Sequence, residues 1–154
     1  MKKYENYISL ELKIRNKKII NVFDLNSKKT LKTFQKPLTE KVYKLYVVKN
    51  AKGFLYIGIT RQSLRSRFRL GFNSDGGNGY HGYKWKNEKN VKVFVWIFDN
   101  YDENKLESIE AELVYLVRNK TNGWPLFQNE IHFNNNFAKA KKVASQIFEL
   151  ISKE

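Results

Sequence analysis

The chain contains no cysteine, and that single absence removes thiol catalysis, thiolate metal sites and disulfides together. It also fits a reducing compartment. No run of eighteen or more apolar residues occurs, and the N-terminal MKKYENYISLELKIR lacks an unbroken apolar signal segment. Neither export nor membrane insertion is therefore indicated, and a cytoplasmic address is expected. Internal repeats, a nucleotide-binding glycine motif, a serine or cysteine triad and a histidine-rich metal cluster are missing as well, which argues against hydrolases of those kinds. Acidic residues are scarce. Against 29 Lys and Arg stand 15 Asp and Glu, leaving a formal charge of +14.

That surplus points to a polyanionic partner bound through phosphate contacts and counterion release, with DNA first and RNA still open. A Lys- and Asn-rich composition accounts for part of the excess by itself, but arginines packed between Arg61 and Arg69 do not follow from it. At 154 residues, 42% hydrophobic, the chain is one domain by length with enough apolar surface for a real core.

The stretch from Lys44 to Gly58, KLYVVKNAKGFLYIG, organises the rest. Two apolar runs flank Asn50-Ala51-Lys52 and end their link at Gly53, which predicts a hairpin with a three-residue loop and a glycine bulge. With Lys49 opposite Gly53, Tyr46 faces Tyr56, and period-two alternation puts both phenols and Gly58 on one face. Next, ITRQSLRSRFR predicts a helix over Arg61–Leu70 opened by Thr60 or Ser63, with Leu64 and Phe68 toward the core. Arg67 then sits beside the apolar face, while Arg65 and Arg69 point further out. An arginine held at the core edge beside two phenols suits a phosphate clamp. A solvated basic face is the ordinary alternative for the other two.

Upstream, Ile8, Leu10, Leu12 and Ile14 alternate with polar residues as a half-buried strand, and Asn16-Lys17-Lys18 turns the chain into Ile19–Phe23. LNSKKTLKTFQK reads as a short helix capped by Asn26 or Ser27 and ended by Pro37. Residues 1–40 thus form a basic N-terminal extension to a domain at 41–154, more simply a packing element than a DNA-contact arm. Residues 71–90 read as a long Gly- and Asn-rich loop on which His81 and Lys84 stand among aromatics. VKVFVWIF, Val91–Phe98, is apolar enough to be a strand covered on both faces, at the sheet centre. Asp102 then caps a helix whose Leu106, Ile109, Leu113, Leu116 and Val117 share a face. Glu110 falls inside that stripe, where a carboxylate needs a charged partner or a metal. An ion pair with one of the arginines is the alternative to the metal. Past this helix, Asn129, Glu130 and His132 follow a turn at Pro125. Asn136 is expected to cap a last amphipathic helix, whose stripe through Phe137, Ala140, Ala144, Ile147, Phe148 and Ile151 is core packing or a homodimer seam.

From Tyr43 to Phe133 the chain resembles the GIY-YIG nucleases. The first motif stands here as Lys44-Leu45-Tyr46 and the second as Tyr56-Ile57-Gly58. The spacings from Tyr46 to Tyr56 and from Tyr56 to Arg67 look like the family's own, and Glu110 stands in a context, IEAELVYL, similar to that of the family's glutamate. The resemblance implies an α+β fold, a small antiparallel sheet of about three central strands flanked by helices. It further implies a divalent-metal-dependent endonuclease in which Glu110 binds Mg²⁺ or Mn²⁺ and Arg67 holds the scissile phosphate. Tyr46 orients or deprotonates the water, its phenol lowered by nearby cations, and Tyr56 hydrogen-bonds within the group. Some members carry a histidine four residues after the arginine; that position is Gly71 here, and His81 is the substitute considered. Asn129 is similar to an asparagine that many members place after the glutamate helix. Arg61, Arg65, Arg69, Lys84 and Asn129 are expected on nucleic acid. A small stand-alone restriction-type enzyme is the first reading. A non-catalytic nucleic-acid-binding module on the same fold and a ribosome-associated basic protein are the alternatives.

Overall fold

The computed structural model describes residues 4–129, 131 and 133–154, so Glu130 and His132 lie outside the described residues. One six-stranded sheet runs through the molecule in the order β3-β2-β1-β6-β4-β5. Its strands are β1 (Ile8–Arg15), β2 (Lys18–Asp24), β3 (Lys29–Leu31), β4 (Lys44–Asn50), β5 (Gly53–Thr60) and β6 (Asn90–Ile97). All neighbours are antiparallel. The sheet is therefore twice as wide as the three strands expected. The reason is that β1 pairs along β6 from Ile8↔Val95 to Lys13↔Asn90, which makes the N-terminal hairpin part of the same sheet. Asn16 and Lys17, at φ 51° and 59°, close that hairpin in the left-handed turn that matches strand twist. The expected helix after Asp24 is not formed. Lys29–Leu31 instead pair with Val22–Asp24, because an open strand edge satisfies their backbone groups.

The central hairpin differs in register from the expected one. Tyr46 pairs with Gly58 and Val48 with Tyr56, the loop is the two residues Ala51-Lys52, and one extra β5 residue shifts the ladder between Val48 and Lys49. The displacement is an even number of residues, so both phenols stay on one face.

Alternation along β4 and β6 divides the core. Leu45, Val47, Phe94 and Trp96 meet helices α2 (Glu103–Thr121) and α3 (Ala140–Ile151). On the other face Tyr46, Val48, Val93 and Val95 meet helix α1 (Leu64–Asn73) and the buried Trp85 of a short 3₁₀ turn, Lys84–Asn87. The expected loop is thus shorter than 71–90, since α1 runs to Asn73 and Trp85 docks. Asp102 caps α2 by accepting from the Lys105 amide at 2.9 Å. Helix α3 starts after Lys139 rather than at Asn136, whose amide bonds the Asn134 side chain. Of its apolar stripe, Ala140, Ala144, Ile147 and Ile151 are buried in the cluster that includes α2, and Phe137 and Phe148 pack half-buried against it. Among the described residues no helix is long and apolar enough to cross a membrane.

Candidate active site

The site begins with the glycine of the second motif. Because Gly58 lies opposite Tyr46, a Cβ on it would sit 2.6 Å from Tyr46 Oη and 2.7 Å from Tyr56 Cε1. A bare backbone here lets the rings of Tyr46 and Tyr56 lie 6.0 Å apart over β5. Lys44, where the first motif has its glycine, is fully buried on the same face. Its ammonium donates to the carbonyls of Glu40, Val42 and Gln62 at 2.6, 2.8 and 3.1 Å, tying the approach to β4 to the approach to α1. Desolvation lowers its pKa.

Helix α1 is oriented by Leu64 and Phe68, both fully buried. The Phe68 ring stands edge-on to Tyr46 at 5.4 Å and to Trp85 at 5.2 Å. This rotation half-buries Arg67, whose guanidinium lies 5.3 Å from the Tyr83 ring and 5.8 Å from that of Tyr80. Burial works against the Arg67 charge, but the surrounding phenols outweigh it and raise its pKa.

Tyr83 was not among the residues expected in the site. Its hydroxyl is 2.5 Å from that of Tyr46, its ring 5.0 Å from Tyr56, and it is buried. Gly71, expected at the start of the loop, lies inside α1, where a glycine normally costs stability unless something packs against it. A Cβ on Gly71 would come 2.3 Å from the Tyr83 ring, and the Tyr83 amide donates to the Gly71 carbonyl at 2.9 Å. Tyr83, rather than His81, thus fills the space beside position 71.

From the opposite side of the β5 edge, α2 supplies Glu110, half-buried in the stripe the periodicity indicated. Burial is the main reason its carboxyl is pushed up to about 8; Glu107 adds to the rise and Arg67 opposes it. The charge of Glu110 is also felt at Tyr56 and Tyr83, which places all of them in one electrostatic neighbourhood. None of the ion pairs among the described residues includes Glu110, so the arginine pairing considered as an alternative is not made. No group of three His, Asp or Glu stands together among the described residues. A cation here would have Glu110 as its carboxylate and water for most other ligands.

The phenols run opposite to expectation. Burial raises Tyr46 and Tyr56 well above the usual tyrosine range and pushes Tyr83 up to about 12, while Arg67 pulls each of them down by less.

Tyr56, Arg67, His81, Tyr83, Lys84 and Asn129 line a cleft of about 350 Å³. Asn129 arrives because Leu126 and Phe127 donate to the Phe54 and Leu55 carbonyls, and because the Gln128 amide bonds both Ile57 N and O at 2.9 and 3.0 Å. Tyr46, fully buried, stands behind Tyr83 rather than on the lining. Arg61, Arg65 and Arg69 are not in this cleft. Arg61 lies over Tyr43 at 5.9 Å, and the other two point to the far side of α1.

A family model described as GIY-YIG catalytic domain matches residues 42–124, more than half of the chain and all of Tyr46, Tyr56, Arg67, Tyr83 and Glu110. No curated protein and no solved structure matches the chain.

Proposed function

The chain belongs to the GIY-YIG nuclease family, and from that premise we propose that it is a DNA endonuclease of small restriction type, dependent on Mg²⁺ or Mn²⁺. The observation that carries the reading is convergence. Tyr56 from β5 and Arg67 from α1 line one cleft, Tyr46 from β4 stands behind Tyr83, and Glu110 from α2, off that lining, is within electrostatic reach of Tyr56, Tyr83 and Arg67, all on a strongly basic chain.

The donor set fits a hard cation. Glu110 is a desolvated carboxyl with no ion pair among the described residues, so a bound cation favours its charged form, and a carboxylate oxygen is the donor a hard ion prefers. When bound, the ion would neutralise charge on the scissile phosphate and its leaving oxygen. Arg67 would hold a non-bridging oxygen with its planar fork, its charge maintained by the phenols around it. Tyr46 would orient the attacking water. With its phenol raised by burial, it takes the water's proton only by passing on its own, and Tyr83 touches both Tyr46 and the open cleft. That pair gives the proton a way out. Tyr56, His81, Lys84 and Asn129 would contact the nucleotides flanking the cut.

One observation favours a second reading, a binding module without cleavage. Tyr46 has no exposed surface. Supercoiled plasmid with Mg²⁺ or Mn²⁺ at low salt separates the two. Nicking or linearisation by the native protein, abolished in Glu110→Ala, is the expected result, and discrete fragments would add a recognition sequence. Retardation of DNA by both proteins with no cutting of several unrelated plasmids would establish the binding module instead.

A further inference from the structure

We propose that the groove between α1 and the N-terminal hairpin is a track for the phosphate backbone of duplex DNA outside the cleavage cleft. It rests on the DNA reading above and gives residues 1–40 a part in it. The groove, about 370 Å³, is lined by Lys17 and Lys18 from the β1–β2 turn, Lys32 beyond β3, and Arg65 and Arg69 from α1. All five side chains are exposed, and no carboxylate among the described residues lines the groove. None of the ion pairs among the described residues includes any of them.

The larger depression of the molecule, about 940 Å³, shows that this is not simply how a basic chain looks everywhere. There Glu11, Glu88 and Glu154 stand among the lysines, and Lys52 is paired with Glu88 at 2.8 Å. Charge is partly compensated on that side of the protein, three glutamates standing among five lysines, and left uncompensated in the groove, which is the arrangement a polyanion requires.

The geometry of α1 links groove and cleft. Arg65 and Arg69, four residues apart, share one side of the helix, and at about 100° per residue Arg67 is turned roughly 160° from each. One helix therefore walls both sites. A helix with its side chains is about 10–12 Å across and each strand of the duplex rises about 3.4 Å per nucleotide, so the groove meets phosphates roughly three to four nucleotides from the scissile one. Two features favour duplex backbone over single strands or bases. The aromatic residues of the groove, Phe34 and Phe72, are each only 5% exposed and offer no stacking platform. The exposed groups are cations, which position a backbone and do not read sequence.

The test is fluorescence anisotropy of a 25-bp duplex in EDTA, titrated across about 50–300 mM KCl, where the salt slope changes by about 0.9 per phosphate contact. Lys18→Gln with Lys32→Gln is compared with the native protein and with Lys141→Gln plus Lys142→Gln, the same charge change on α3 across the sheet. The groove variant is expected to lose about two units of slope and at least tenfold in affinity near 100 mM KCl, equally on unrelated sequences. The α3 variant should keep the native slope. An unchanged slope in the groove variant, or equal loss in both, overturns the track. A native protein that binds with a steep slope but never cuts plasmid leaves the track standing and sinks the nuclease. Absence of DNA binding by the native protein sinks both.

Discussion

At the scale of the residue, Glu110 makes the sharpest prediction, because its carboxyl is held up to about 8 mainly by burial. In the unfolded chain it ionises near 4.5, the ordinary value. Between those two values the unfolded state releases a proton that the folded state keeps. Stability from this group is therefore complete below 4.5, falls as pH rises, and levels off above 8. Glu110→Gln removes the dependence. In EDTA the variant should unfold like the native protein at pH 4 and resist urea better at pH 9, by an amount on the order of a few kcal/mol. Adding Mg²⁺ at pH 9 should reverse the order, since a ligand bound only by the native fold stabilises it by mass action. Parallel pH curves for the two proteins would show that the carboxyl is not desolvated in solution. Glu110 was legible in the sequence because a helix has a fixed angular step, so an acid within an apolar stripe stands out. Tyr83 was not, since no periodicity runs through a glycine-rich loop. Its place is set by a contact with Gly71, in another element altogether.

At the scale of the element, that contact gives a prediction whose sign separates two physical effects. Gly71 lies inside α1, where alanine should stabilise by about 1 kcal/mol through helix propensity alone. Yet the added Cβ would meet the Tyr83 ring at 2.3 Å and force the loop outward. Gly71→Ala is therefore expected to destabilise by about 1–3 kcal/mol, the usual cost of overpacking, and to reduce plasmid cleavage by moving Tyr83 off Tyr46. Thermal melts showing stabilisation would mean that the loop does not pack against α1. The same distinction between local and long-range causes explains which elements could be read in advance. Strands β1 and β6 and helix α2 announce themselves by alternation, by an unbroken apolar run and by Asp102 with its stripe. The β4–β5 register could not be read to the residue, because one extra residue in β5 shifts the ladder and leaves no mark in composition. Lys29–Leu31 had the look of a helix until the edge of β2 offered partners, and pairing of that kind overrides weak propensity.

At the scale of the whole molecule, the site is held from two sides of one sheet, so chemistry and stability can be separated by choosing where to cut into the core. Tyr46, Arg67 and Tyr83 depend on the face that carries α1 and Trp85, whereas Glu110 depends on α2, which packs with α3 over the other face. Helix α3 lies beyond the family match, which ends at residue 124, yet Ile147 is fully buried in the cluster that includes α2. Lys49 adds a second tie by donating to the Ile151 carbonyl at 2.6 Å. Ile147→Ala should accordingly cost about 2–5 kcal/mol, a large part of the roughly 5–15 kcal/mol that stabilises a typical domain. It touches no group in the cleft. Plasmid cleavage per folded molecule, corrected by the unfolded fraction from a urea titration, should therefore stay within about threefold of native at 15 °C and collapse with the fold on warming. An early loss of activity at 15 °C, while the protein is still folded, would show that α3 sets the position of Glu110 as well as the stability of the face behind it. A divalent cation added during the titration would then rescue the native protein and leave Ile147→Ala unprotected, because the carboxylate would no longer be in place to bind it.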